Sequence, residues 1–170
     1  MTLDLPRFWA EEHKKNDNRW VSSSDPEIIL SRLDIYLGGI KSVLEIGPGR
    51  MRLANYLSSK VDRVVLHDLV TLDDIRFVPT LPLEVPVELA IAHLVIQHVP
   101  NHRELIASVV ASLVPGGKFY YDVVTSDFAE PHMDAEFNAG LSFPFDAWDL
   151  VNEKREISDG YYFCISERTR

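Results

Sequence analysis

Ser42-Val43-Leu44-Glu45-Ile46 runs without interruption into Gly47-Pro48-Gly49. A short apolar run closed by glycine and proline predicts a buried strand that ends in a tight turn. Behind the turn, Leu53, Ala54 and Leu57 mark one face of a helix reaching about Ser59. Strand, glycine turn and helix open an α/β unit, and the chain on either side extends the pattern. Downstream, Arg63 to His67 is a second strand, closed by Asp68, and Val87 to Ala92 a further one. Asn101 with Glu104 forms a variant capping box for a helix with Leu105, Ile106, Val109 and Leu113 inward. Pro115-Gly116-Gly117 stops that helix, and Lys118 to Val124 is rich in aromatic and branched strand formers. Phe145 to Val151 is a candidate short helix, and the segments 155–158 and 161–167 flank Asp159-Gly160, a strong hairpin signal. Upstream, residues 5–15 fit a short helix, and Ser24-Asp25-Pro26-Glu27 reads as a helix start running to Leu37 and ended by Gly38-Gly39. The predicted fold is α/β: a Rossmann-like, doubly wound, mostly parallel sheet with an antiparallel C-terminal hairpin.

The 170 residues suit one domain, and 46% hydrophobic with 25% charged residues is the ordinary balance of a globular protein. No repeat or linker divides the chain. Twenty-six acidic against 17 basic side chains, net charge −9, argue against nucleic acid as a partner. No apolar run approaches the roughly 18 residues of a membrane span, and no signal pattern opens the chain, so no membrane role is expected. The single cysteine, Cys164, has no internal partner for a disulfide, which points to a reducing, cytoplasmic setting.

In an open parallel sheet, ligands bind outside the carboxyl ends of the strands. Gly47 and Gly49 lie there, where missing side chains let backbone N–H groups approach a ligand. Asp68 lies there too, nineteen residues after Gly49, placed for a carboxylate to accept both hydroxyls of a ribose. Taken separately, these are a plain turn and a solvated strand end; taken together and in this order, they favour a nucleoside ligand. A dinucleotide asks for a third glycine where Arg52 stands. Glu45 is placed to accept a hydrogen bond from an ammonium group. An amino-acid head and a ribose without phosphate describe S-adenosylmethionine.

The segment from Val43 to Gly49 resembles the first motif of class I S-adenosylmethionine-dependent methyltransferases. Asp68 matches their acidic residue after the second strand. The run Ala92-His93-Leu94-Val95-Ile96-Gln97-His98-Val99-Pro100 is similar to the end of their fourth strand and its turn, and Leu113-Val114-Pro115-Gly116-Gly117-Lys118 to the turn before their fifth. The resemblance covers residues 40–125 and implies a cofactor-binding core there. It implies that Gly47 and Gly49 line the methionine and ribose and that Glu45 helps hold the amino group. Asp68 would bind the ribose hydroxyls, Leu69 would pack on adenine, and the backbone at Ala92 and His93 would face the methionine. The sequence departs from the family at Met51, which replaces the third glycine. It departs again between Asp68 and Val87, where eighteen residues must hold what is normally a helix, a strand and a connection. The third strand is then reduced to Arg76-Phe77-Val78, with the helix before it one turn long or missing, and Pro79 and Thr80 stand where the family's adenine-side acid is found.

Methyl transfer needs a nucleophile held in line, with a base where the acceptor must lose a proton. His93, at a strand end, is the best-placed base, with a structural histidine the equal alternative; His132 is the second candidate. His67, His98 and His102 read as structural or solvated. The acids Asp122, Asp127, Glu130, Asp134 and Glu136 show no metal-loop spacing, so no metal is expected. Trp9 and Trp20 before the core, and Phe128 and Phe143 after it, are candidate substrate contacts. Residues 1–24 and 125–145 then form a lid, and 145–170 a closing helix and hairpin. The function so predicted is methylation of a small molecule on oxygen or nitrogen. Alternatives are a degenerate relative that binds the cofactor without transfer, a nicotinamide-dependent oxidoreductase and an interaction protein on the same fold.

Overall fold

The computed structural model describes residues 4–14, 25–99, 101–124, 150–158 and 161–168. Six strands form one sheet: β1 (Ser42–Ile46), β2 (Arg63–His67), β3 (Val87–Ala92), β4 (Leu113–Val124), β5 (Leu150–Ser158) and β6 (Tyr161–Arg168), in the order β2-β1-β3-β4-β6-β5. Strands β2, β1, β3 and β4 are parallel, while β6 pairs antiparallel with both β4 and β5. The predicted α/β sheet with an antiparallel hairpin is therefore present.

The strands read as nearly continuous apolar runs because both faces are covered. Successive side chains alternate between faces. Leu44, Ile46, Ala90, Ala92, Phe119 and Tyr121 pack on one side with Ile106 and Val109 of α4 (His102–Ala111). Val43, Leu66, Leu89, Ile91 and Tyr120 pack on the other with Ile29 and Leu30 of α2 (Pro26–Arg32) and with Leu53, Ala54 and Leu57 of α3 (Arg52–Leu57). At the amino ends of the strands, the Glu88 carboxylate accepts from Lys41 N–H at 2.5 Å and Ser42 N–H at 3.0 Å, stitching β1 to β3.

Several boundaries differ from the sequence expectation. Asp25 caps α2, its side chain accepting from Glu27 N–H at 2.9 Å, and Pro26 occupies the first turn; Ser24 lies outside the described residues. That helix stops at Arg32 rather than Leu37, because Asp34 takes a left-handed φ of 51°. α3 ends at Leu57, short of Ser59. Asn101 precedes α4 without a side-chain capping bond, so the capping box with Glu104 does not form. Leu113 is not the last inward residue of α4 but the first of β4; the helix ends at Ala111, and Pro115-Gly116-Gly117 falls inside the strand as an irregularity in its pairing with β3. Leu150 and Val151 open β5 instead of closing a helix, and residues 145–149 lie outside the described residues. The hairpin pairing of β5 with β6 is as predicted, and its strands reach further than expected.

Between Asp68 and Val87 no helix forms. The third strand is a single bridge, Phe77 to Leu66, with Leu66 N–H donating to Arg76 O at 2.9 Å and Val78 N–H to Leu66 O at 2.8 Å. Arg76 clamps this shortened crossover. Its guanidinium meets both oxygens of Asp74, at 2.9 and 2.7 Å, and reaches α3 at Ser58 Oγ, 2.7 Å, and Asn55 Oδ1, 3.1 Å. α1 (Leu5–Lys14) lies where Trp9 sets its ring edge-on to His98, with centroids 4.9 Å apart.

Candidate functional site

The pairing registers align the strand ends. His67 of β2 pairs with Ile46 of β1, Ile46 with Ala92 of β3, and Ala92 with Tyr121 of β4. One residue further along each strand come Asp68, Gly47, His93 and Asp122, in that order across the carboxyl edge of the sheet. The chain order reverses at this edge: β2 flanks β1 on one side, and β3 flanks it on the other. That is the switch point at which such sheets open a crevice.

Gly47 and Gly49 both have positive φ, 63° and 50°, which glycine adopts without cost. Their open sides differ. A Cβ on Gly47 would lie 2.5 Å from Val95 Cγ2, so the turn after β3 leaves no room for a side chain there. A Cβ on Gly49 would meet nothing nearer than Gly47 O at 4.0 Å, so Gly49 is the one that leaves room. Met51, in place of a third glycine, is itself left-handed at φ 63° as it caps α3.

Glu45 belongs to the face that packs on α3. Its side chain is buried, and its Oε2 has no hydrogen-bond partner. Burial pushes its carboxyl from 4.5 up to about 8; the Arg76 guanidinium opposes this and the Asp68 charge adds to it. A buried carboxylate oxygen lacking a donor is costly, and a cationic ligand would supply one. Asp68 is half-buried, and its Oδ1 accepts from Val70 N–H at 3.0 Å, which turns the chain and orients the carboxylate. Leu69 beside it is 43% exposed, an apolar surface open for a flat ring. Ala92 is fully buried among core side chains, so only its backbone is placed to face a ligand.

His93 and Asp122 meet across β3 and β4: His93 Nδ1 lies 2.6 Å from Asp122 Oδ2, and Leu94 N–H donates to Asp122 Oδ1 at 2.5 Å. The Asp122 side chain is fully buried, and that of His93 is 18% exposed. Among the acids, Asp122 was legible only as part of a solvated loop; a carboxylate inside the apolar strand Phe119-Tyr120-Tyr121-Asp122 was the signal that set it apart. Among the described residues, no group of three or more His, Cys, Asp or Glu could hold a metal. His67 is structural, its Nδ1 donating to Val78 O at 3.0 Å, and His98 and His102 are buried. Trp9 packs on Phe8 and His98, beside the one turn of 3-10 helix that follows His93. The candidates Trp20, Phe128, His132 and Phe143 lie outside the described residues, as do Asp127, Glu130, Asp134 and Glu136.

No protein-family model matches the chain, and no curated protein matches its sequence. Solved structures do match. The N-methyltransferase NodS from Bradyrhizobium japonicum WM9, solved with S-adenosylhomocysteine, superposes with a TM-score of 0.69 at 15% identity, covering 99% of this chain and 100% of that one. DhpI, also in complex with S-adenosylhomocysteine, gives 0.67 at 18% identity over 98% and 96%. The plantazolicin methyltransferase BpumL, again with S-adenosylhomocysteine, gives 0.61 at 12% over 96% and 90%. Identities this low speak for architecture, and the architecture is shared along nearly the whole chain. This protein has the fold of the class I S-adenosylmethionine-dependent methyltransferases.

Proposed function

We propose that this protein transfers a methyl group from S-adenosylmethionine to an oxygen or nitrogen of a small molecule. The observation that carries the reading is the buried, unpartnered oxygen of Glu45, set behind an edge that also holds Gly49, Asp68 and Leu69. These groups fit the parts of the cofactor one by one: Glu45 its ammonium, Asp68 the ribose hydroxyls, Leu69 the adenine, and the backbone of the 47–49 turn and of Ala92 and His93 the methionine side. When bound, S-adenosylmethionine supplies an electrophilic methyl group on a sulfonium and leaves as S-adenosylhomocysteine. Solved neighbours of the same fold hold S-adenosylhomocysteine, which supports the choice of cofactor.

The chain's own residues orient and exclude. Asp68, steadied by its bond to Val70 N–H, fixes the ribose, and His93 stands on the acceptor side. Trp9, packed on His98, is the described candidate for the substrate side, and the other candidates read from the sequence, Trp20, Phe128, His132 and Phe143, lie outside the described residues.

Calorimetric titration with S-adenosylmethionine, S-adenosylhomocysteine and NAD tests the proposal. Binding of the sulfur nucleosides is expected; NAD binding alone would favour an oxidoreductase, and failure of both sulfur nucleosides would overturn the reading. Asp68→Ala is expected to weaken S-adenosylhomocysteine by about tenfold or more, through loss of charge-assisted hydrogen bonds. A second reading, cofactor binding without transfer, is favoured by the helix missing between Asp68 and Val87. It predicts tight S-adenosylhomocysteine binding with no methylated product from any acceptor.

A further inference from the structure

We infer that the base of the nucleoside is held by its flat face on Leu69 and is not read along its 6-position edge, so that this protein takes a 6-oxopurine nucleoside as readily as the 6-aminopurine of S-adenosylmethionine. This rests on the cofactor reading above and deepens it. The class of base becomes purine rather than adenine, and Pro79 and Thr80 are the residues that set it.

The row of strand ends extends one place beyond Asp68. Phe77 pairs in parallel with Leu66, so Val78 falls level with His67, and Pro79 level with Asp68. A base carried by a ribose at Asp68 and packed on Leu69 therefore has the segment leaving this bridge as its neighbour. The backbone there is already engaged. Val78 N–H donates to Leu66 O at 2.8 Å, and Val78 O accepts from His67 Nδ1 at 3.0 Å. Pro79 has no N–H to give. In the run Phe77-Val78-Pro79-Thr80-Leu81-Pro82-Leu83, Thr80 carries the one polar side chain. Thr80 is exposed, and a hydroxyl donates as well as accepts, so it suits an amino and an oxo group alike.

The carboxylates of the crossover lie on the way into the bridge, not on the way out. Both oxygens of Asp74 are taken by the Arg76 guanidinium, at 2.9 and 2.7 Å. By the same register Arg76 falls level with Val65, three residues short of Asp68, and its other contacts run to Asn55 and Ser58. That pair sits behind the row, and Asp73 precedes it, exposed. What the row offers a base is apolar surface: Leu69, 43% exposed, and the exposed ring of Pro79.

Magnitudes separate the two modes of recognition. Adenine presents a donor at its 6-amino group and an acceptor at N1; hypoxanthine presents an acceptor at its 6-oxo group and a donor at N1. A site built to pair with one pattern rejects the other by orders of magnitude, because its own polar groups are left unpaired. Contact with the flat face depends on the apolar area covered, which is nearly the same for the two bases. With the 6-position edge turned to water, either base keeps its hydrogen bonds.

Calorimetric titration of the full chain with three ligands tests the inference and needs no known methyl acceptor. They are S-adenosylhomocysteine, S-inosylhomocysteine, which carries hypoxanthine, and S-ribosylhomocysteine, which carries no base. S-inosylhomocysteine is expected to bind within about threefold of S-adenosylhomocysteine. A larger penalty would show a polar group reading the edge and would overturn the inference, with the cofactor reading intact. S-ribosylhomocysteine should bind more weakly by about tenfold or more, through loss of the apolar contact. Equal binding would mean that the base is not held at all, which also overturns it. Leu69→Ala, at an exposed position, should weaken both nucleosides by about fivefold and by the same factor. Unchanged affinity in a folded variant would remove the shelf; should the variant not fold, the three wild-type titrations decide. A wild type that binds no S-adenosylhomocysteine removes the cofactor reading, and the base class with it.

Discussion

Glu45 and Gly47 are two residues apart and constrained by opposite forces. Glu45 is held in an apolar layer between Leu66 and Ile91, its register partners, where ionisation is disfavoured and the carboxyl rises to about 8. Between pH 4.5 and 8 the folded state then binds more protons than the unfolded chain, so the stability this group contributes falls as pH rises through that window. The loss is on the order of a few kcal/mol. Denaturant melts of the ligand-free protein should show the decline, and Glu45→Gln should flatten it. A ligand ammonium that pairs with the carboxylate reverses the balance. S-adenosylhomocysteine should bind more tightly as pH rises towards 8, by up to about tenfold per pH unit, with proton release on binding. Glu45→Gln should bind more weakly and without that slope. Gly47 answers to sterics instead. Gly47→Ala places a methyl against Val95 at a left-handed backbone, and thermal or chemical melts should record a loss of roughly 2–4 kcal/mol. Gly49→Ala, which meets only the backbone cost, should lose less stability than Gly47→Ala.

The shortened crossover is the element that most sets this chain apart. A parallel crossover ordinarily carries a helix that packs on the sheet; here residues 69–86 carry none, and one bridge at Phe77 edges β2. Arg76 takes over the anchoring by tying Asp74 to α3 through Ser58, Asn55 and Ala54 O. Asp74 and Arg76 each keep about a quarter of the side chain exposed, so the pair is worth less than a buried one, and the fork of contacts matters more than the charge. Arg76→Ala is expected to lower Tm by a few degrees and to speed proteolysis between residues 69 and 86. Because this segment begins at Asp68 and Leu69, the variant should also bind S-adenosylhomocysteine more weakly. Arg76→Lys should recover only part of the loss, since an ammonium lacks the planar fork. The shortening was legible in residue spacing, because eighteen residues are too few for helix, strand and connection. The device that compensates was not, because Arg76 and Ser58 are brought together by the fold alone.

At the scale of the whole molecule, ligand binding at the sheet edge should stabilise the folded state. At about 100 times its dissociation constant, a ligand specific to the folded state adds about 2.7 kcal/mol, or about 5–10 °C in Tm for a chain of this size. S-adenosylhomocysteine should produce that shift in a thermal melt, and NAD should not. The sequence by itself determined the parallel core, because strands buried on both faces must be apolar throughout, and β1 and β2 end where Gly47 and Asp68 follow them. It also placed Gly47 and Asp68 at the carboxyl ends of β1 and β2, since strand-end position is a local property. Helix ends at Arg32 and Ala111 escaped it, because backbone capping and the left-handed Asp34 left no periodic trace. What only the tertiary structure decided is the company each group keeps. Register aligned Asp68, Gly47, His93 and Asp122 in one row, Val95 closed the space over Gly47, and a strand 29 residues away gave His93 its carboxylate. Contacts between strands depend on pairing register, and register is a property of the assembled sheet rather than of any one segment.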